Sequence, residues 1–341
     1  MAVDWGLAAS IARTAAGNEP LSAPPVSLAD RSAAARAQVV AASGLQPAGE
    51  LPPAEWVGRE DWIDANLATM RTTLGPVLER STAGAPGLLQ NAAGSVAAAE
   101  IGGLLGLFSR RILGQYEINL LDPEVPPRLL LVGPNLDKAA QELHVDREEL
   151  VTWVGLHEVT HAVQFGAVGW LRDHLAGSLR ELLSALEVRP DPRALLSVGL
   201  DDLRELAGKV REGGLLGAVI GPERQRVLDD LQGTMGLVEG HAEWTMDRAG
   251  ADVLADVDAL RAALERRRAD RAPLLRILDR LLGFDLKLRQ YKQGREFCDA
   301  VVAARGDSGL LLAWASPETA PSAAELGDPA AWLRRTSPAA A

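Results

Sequence analysis

The chain has 341 residues, a formal net charge of −11 and a pI near 5.1, so a general phosphate-binding surface, and with it a nucleic-acid partner, is not expected. Aromatic residues make up only 4 % of a sequence that is 47 % hydrophobic, which favours helices packed on helices over a β-sandwich. The single cysteine, Cys298, excludes an internal disulfide and a cysteine-based zinc site, and it favours a reducing, cytoplasmic compartment.

The N-terminal third of the chain contains three predicted features. Residues 1–55 alternate short helical patches with breaks rich in proline and glycine, so we interpret them as an irregular segment with one helix over 26–42. A longer helix is predicted over 59–80, with a kink or a boundary at Pro76. The apolar stretch 92–108 carries Glu100 and is short for a membrane span, so we predict a buried core helix and no membrane partner.

One segment interrupts the helical pattern that continues through the rest of the chain. Residues 128–135, RLLLVGPN, are short, apolar and end in Gly-Pro-Asn, which predicts a strand. This strand could be a sheet edge that pairs with an extended peptide, or a plain core strand. Further helices are predicted over 136–143, 146–168, 171–187, 199–211, 222–249, 252–268, 272–283 and 285–304. The Pro/Ala-rich tail, 306–341, is expected to drape over the body or to fray.

Residues 157–161 read His-Glu-Val-Thr-His, which is the HExxH pattern. Histidines four residues apart lie on one helix face, so His157 and His161 can bind one zinc ion through their ring nitrogens. Glu158 is turned about 100° away, beside the ion, where it can act as the general base. Because the rest of this helix is apolar, its two histidines and its glutamate would be costly to bury without a metal ion. The pattern therefore predicts a zinc site.

Catalytic zinc uses three protein ligands and keeps one position open. Glu239 and Glu243 are four residues apart on one predicted helix face, whereas His241 points away from that face. Glu239 is the favoured third ligand, with His241 and Glu243 as alternatives. Glu243 is instead expected to accept a hydrogen bond from the far ring nitrogen of a zinc-binding histidine. Candidates for the donor that stabilises the developing oxyanion are Tyr291, His241 and Tyr116.

This combination resembles the gluzincin metallopeptidases, in which HExxH is followed by a helix bearing an E-x-x-x-D motif. The resemblance implies that His157, His161 and Glu239 bind zinc and that Glu158 is the base. Glu243 stands where that pattern has an aspartate.

A second resemblance extends over nearly the whole chain. It rests on LGQYE (113–117), LLLVGPN (129–135), HEVTHAVQF (157–165), EGHAEWTMD (239–247) and LRQYKQGREFCDAV (288–301). These segments are similar to an actinobacterial zincin-like family, whose members are labelled zinc metallopeptidases or hydrolases, some of them in association with deazaflavin coenzyme biosynthesis. The resemblance implies a single zincin-like metallohydrolase domain over 1–341, mainly α and multihelical, with a small β element near the active-site helix.

The predicted function is that of a zinc-dependent metallopeptidase, in which Glu158 helps water to cleave a peptide or amide bond of a peptide or protein substrate. Two alternatives stay open: a zinc-binding helical interaction protein without catalytic activity, and a hydrolase of small amides or peptidoglycan fragments. Nothing in the sequence indicates an oligomeric state.

Overall fold

The structure is a computed structural model that describes residues 3–81, 87–186, 225–251, 253–269 and 284–337. Helices predominate among these residues, which confirms the mainly-α prediction. The helices are α1 (Trp5–Ala16), α2 (Leu28–Ser43), α3 (Arg59–Ser81), α4 (Gly87–Ser109), α5 (Gly133–Leu143), α6 (Arg147–Ala167), α7 (Leu171–Leu186), α8 (Gln225–Gly250), α9 (Val257–Ala269), α10 (Phe284–Arg305), α11 (Asp307–Leu311), α12 (Ala323–Gly327) and α13 (Pro329–Arg335), with a 3₁₀ turn at Leu312–Trp314. The strands are β1 (Ala54–Val57), β2 (Gly114–Glu117) and β3 (Arg128–Val132).

The chain divides into two compact units. The first comprises Met1–Ala42, Gln46–Ala167 and Met246–Leu264, and the second comprises Ser43–Leu45, Val168–Thr245 and Glu265–Ala341. Helix α8 is continuous across the division, so its last turn from Met246 onward belongs to the first unit. The single-domain organisation over 1–341 stays a prediction.

The sheet of the first unit has the order β1-β3-β2, with β1 parallel and β2 antiparallel to β3. Leu129 to Val132 are at most 1 % exposed. Of the two interpretations of 128–135, the core strand is therefore correct. The antiparallel edge strand of the sheet is β2. The strand is shorter than predicted because Pro134 lies in the first turn of α5, where its missing N–H costs no helical hydrogen bond.

Strand β2 is anchored to α3 by the side chains of alternate residues. The indole N–H of Trp62 donates to Gln115 Oε1 at 2.5 Å, and the Asn66 and Gln115 amides exchange two hydrogen bonds of 3.2 Å. The Thr69 hydroxyl donates to Glu117 at 3.1 Å. Since successive residues of a strand point to opposite faces, Gly114 lies on the other face of β2, where it is packed against α6.

Helices α1 and α4 pack closely through small residues. A Cβ atom on Gly102 would lie 2.5 Å from the Ala8 carbonyl oxygen, and one on Gly106 would lie 2.7 Å from that of Ala12. The prediction of a buried core helix over 92–108 is correct for this face only, because Val96 on the opposite face is 58 % exposed. By length and composition alone, Asn91–Ser109 could also cross a membrane.

The structure adds detail to the predictions for the two terminal segments. Residues 3–55 hold α1 and α2 with non-helical stretches after each, in agreement with the predicted alternation of helical patches and breaks, and α1 begins where the Asp4 carboxylate accepts the Leu7 N–H at 2.9 Å. Of the two alternatives for the tail, draping over the body agrees with its described part, residues 306–337, in which Trp314 and Trp332 are buried. Ser322 and Glu325 form a reciprocal cap at the start of α12, and Trp332 packs edge-to-face on Phe297 of α10 at 5.2 Å. Both terminal segments bury apolar side chains.

The other predicted helices agree with the structure to within about five residues at each end wherever they can be compared. Pro76 does not end α3, which continues to Ser81. The helices predicted over 199–211 and 272–283 lie outside the described residues.

In the second unit, α8 and α10 cross where Gly240 faces Gly294. A Cβ atom on Gly240 would overlap the main chain of Gly294, so the two helices can approach only because neither residue has a side chain. Gly240 follows Glu239 directly, so the crossing lies next to the predicted third ligand in the sequence.

We expect Gly240→Ala to destabilise the protein by about 1–3 kcal/mol, because the added methyl group has to push two packed helices apart. Unfolding in urea would measure the loss. Gly177→Ala in α7 is the matched control: no atom lies within 4 Å of its new Cβ, so it should stabilise the protein by about 0.5–1 kcal/mol. Equal stability of the Gly240→Ala variant and the parent would contradict the close crossing.

Candidate active site

The HExxH residues lie in the middle of α6, a helix buried over most of its circumference. The helix begins where the Asp146 carboxylate accepts the N–H of Glu149 at 3.0 Å, and acidic residues of the first turn complement the helix dipole. Strands β2 and β3 and helix α5 cover it. Its polar residues therefore lie in a largely apolar setting, and those that are buried are Glu158, Thr160, His161 and Gln164.

The two histidines face each other through their Nε2 atoms, which lie 3.1 Å apart. Their rings are nearly perpendicular, with centroids 4.6 Å apart. His161 Nδ1 lies 2.9 Å from Gln164 Oε1, and His157 Nδ1 lies 3.0 Å from the sulfur of Met246. When each Nδ1 donates its proton to its acceptor, each Nε2 presents a lone pair that can bind a metal ion.

One divalent cation can accept both of these lone pairs. Tetrahedral zinc with Zn–N bonds of about 2.0–2.1 Å separates two nitrogen ligands by about 3.3 Å, close to the observed distance between the Nε2 atoms. Proton acceptors on the far nitrogens are also typical of metal-binding histidines, because they fix the tautomer and the ring orientation. The histidine pair therefore fits a divalent metal ion.

Glu239 joins the two histidines in one potential ligand group. It lies on α8 seven residues before Met246, so the two residues share one helix face. His157, His161 and Glu239 each offer a ligand atom, and these atoms lie within 4.8 Å of one another. A carboxylate and two imidazoles form a ligand set that catalytic zinc commonly uses. The three residues predicted as ligands are thus brought together.

Glu158 is held by the main chain of β2. Its Oε2 accepts the N–H of Tyr116 at 2.7 Å, and the side chain is only 7 % exposed. The Tyr116 ring packs on Phe165 of α6 with centroids 5.8 Å apart. The predicted base thus lies between the metal-binding face of α6 and the edge strand of the sheet.

The remaining predicted site residues have roles that the structure does not assign directly. His241 is fully buried in the second unit, with its ring 5.8 Å from that of Trp244 and 5.0 Å from that of Trp314. The side chain of Tyr291 lies outside the described part of the chain. The roles suggested for His241, Tyr291 and Tyr116 as oxyanion donors, and for Glu243 as a support of a histidine, stay predictions.

Sequence reasoning missed Gln164 and Met246, the acceptors on the far nitrogens of the histidines. Both were accessible from spacing: Gln164 is three residues after His161, and Met246 is seven after Glu239, so each lies on the same helix face as a predicted ligand.

Comparisons with known proteins agree with this geometry. The chain belongs to the zincin-like metallopeptidase family, whose model matches residues 3–333. A protein from Chloroflexus aurantiacus, whose crystal structure is described as "a putative hydrolase with a novel fold", shares 26 % sequence identity over 98 % of both chains, with a TM-score of 0.68. None of the curated proteins matches the chain. The predicted family and fold are confirmed, and both comparisons support a hydrolase.

We expect Gln164→Leu to weaken zinc binding about 10- to 100-fold, because His161 loses the acceptor that fixes its tautomer. The dissociation constant can be measured by competition with a chromogenic chelator. Thr160→Val is the matched control, since the Thr160 hydroxyl is buried but donates to Leu156 of its own helix. Unchanged zinc affinity in Gln164→Leu would show that the amide does not support the site.

Proposed function

We propose that this protein is a zinc-dependent metallopeptidase in which Glu158 is the general base. The observation that carries the proposal is the convergence of His157, His161 and Glu239, whose ligand atoms lie within 4.8 Å of one another. In a zincin-like metallopeptidase, an HExxH helix with a distant glutamate is the arrangement expected for a hydrolytic zinc centre.

His157, His161 and Glu239 would hold the ion. A bound zinc ion supplies a Lewis acid that polarises the scissile carbonyl and lowers the pKa of water toward neutrality. His157 and Glu239 are both partly exposed. This supports an open coordination position, because a metal site closed by protein on all sides would have buried ligands. These features favour an enzyme over a helical interaction protein with a structural zinc ion.

Glu158 would take a proton from the attacking water and then donate it to the leaving amine. Its place one residue after a ligand turns it about 100° around α6, so it lies beside the ion and does not compete for it. The Tyr116 N–H fixes Oε2 of this carboxylate, and Oε1 would accept the proton. A carboxylate in this position performs general acid–base catalysis without a further side chain.

A peptide is favoured over a small amide as the substrate because a sheet edge lies beside the base. Strand β2 is the antiparallel edge of the sheet, and its residues are only partly buried. An extended peptide can add to such an edge through outward-facing main-chain groups other than the Tyr116 N–H, which donates to Glu158. A cytoplasmic location stays a prediction, supported by a single cysteine that is fully buried.

We expect Glu158→Gln to keep zinc but to lose at least about 100-fold in kcat, because the amide cannot accept the proton. His161→Ala should instead lose both the metal and the activity. Mass spectrometry would give the metal content, and digestion of a peptide library, with and without a chelator, would give the activity. Cleavage by Glu158→Gln at the parental rate would refute its role as base, and full zinc content in His161→Ala would refute the metal site.

A further inference from the structure

Gly114 of β2 lies directly against the side chain of Glu158. A Cβ atom on Gly114 would lie 2.8 Å from Glu158 Cγ, 2.9 Å from Glu158 Oε1 and 2.7 Å from Val154 Cγ1. Carbon atoms that are not bonded normally stay about 3.5–4.0 Å apart, so there is no room for even a methyl group here. Glycine therefore allows the strand to pack on the glutamate side chain along its length.

The main-chain N–H of Tyr116, two residues further along β2, fixes the carboxylate end of the Glu158 side chain. The Tyr116 N–H donates to Glu158 Oε2 at 2.7 Å, the length expected of a hydrogen bond to a charged carboxylate. A main-chain donor inside a strand cannot rotate away as a side-chain donor can. Gly114 and Tyr116 thus hold the carboxylate from two points along β2.

The strand itself has little freedom to move. Its intervening residue, Gln115, is bonded to Trp62 and Asn66 of α3, while β3 pairs along its other edge. The position of Glu158 is therefore set by a chain of contacts that runs from α3 through β2. None of these residues is part of the metal-ligand group.

We propose that Gly114 is a positioning residue of the reaction: together with the Tyr116 N–H, it holds the Glu158 carboxylate in the orientation from which it transfers a proton. This inference rests on the proposed function, since it assigns a role relative to the general base. Groups held near their reacting geometry avoid the entropic cost of reaching it in each turnover, so a displacement of about 1 Å can cost on the order of 100-fold in rate.

The test is Gly114→Ala in the full-length, zinc-loaded protein. Among the atoms that would lie too close to the new methyl group, those at the carboxylate end of Glu158 can move most easily. The methyl group should therefore displace Glu158. We expect kcat to fall about 100-fold, with KM within about 3-fold of the parent and with unchanged zinc content. Gly155→Ala on α6 is the control, because no atom lies within 4 Å of its new Cβ and its kcat should be retained.

A double-mutant cycle separates positioning from a general structural effect. If Gly114 acts through the base, Gly114→Ala should cause no further loss of kcat in a Glu158→Gln background. A full additional loss there, or a parental kcat in Gly114→Ala, would overturn the inference while leaving the proposed function intact. Parental activity of Glu158→Gln alone would instead refute the proposed function.

Tyr116→Pro provides a second route if Gly114→Ala does not fold. Proline removes the N–H that Glu158 accepts, and because this N–H points outward from β2, no bond of the sheet is lost. Tyr116→Ala is the reference, because it removes the ring but keeps the N–H. Relative to it we expect a lower kcat with unchanged zinc content, and an equal kcat in the two variants would also overturn the inference.

Discussion

The burial of α6 is the constraint on which the rest of the structure depends. A helix enclosed by a sheet and other helices cannot leave polar side chains without partners, since an unpaired buried polar group costs about 1–3 kcal/mol. The structure meets this demand with the Tyr116 N–H for Glu158, Gln164 for one histidine and Met246 for the other. The Nε2 atoms of the two histidines lie 3.1 Å apart, a separation that one divalent cation can bridge. The contacts that satisfy the buried helix thus also orient both imidazoles toward a single metal position.

Each of the elements around α6 contributes to this arrangement in a different way. The sheet supplies a main-chain donor in a fixed position, the Tyr116 N–H. Helix α8 supplies both a carboxylate and a thioether from one face. The acceptors on the far nitrogens are both neutral, whereas a carboxylate often has this role. Because neither acceptor is charged, neither adds negative charge to the imidazole that it contacts.

The relative positions of the HExxH residues follow from the sequence more directly than the sheet does, because they depend on local information. His157, Glu158 and His161 lie on a single helix, so their relative positions follow from the helical period alone. The third ligand required only a second helix with a carboxylate. In contrast, β1 and β2 are four residues each and become strands only through pairing with β3, and no periodicity within them indicates it. The tail is ordered by tryptophans that pack against residues distant in the sequence. Its composition, rich in proline and alanine, does not indicate this packing.

The position of Glu239 and Met246 on one helix also explains which sequence distances can vary. The chain between His161 and Glu239 is long, and its length does not enter the geometry of the ligand group. The seven residues from Glu239 to Met246 do, because they amount to two helical turns. Inserting or deleting a single residue there would rotate one of the two by about 100° and separate the carboxylate from the thioether's side of the helix. A change of length within these two turns is therefore harmful to the ligand group, a rule by which distant relatives of this chain can be aligned.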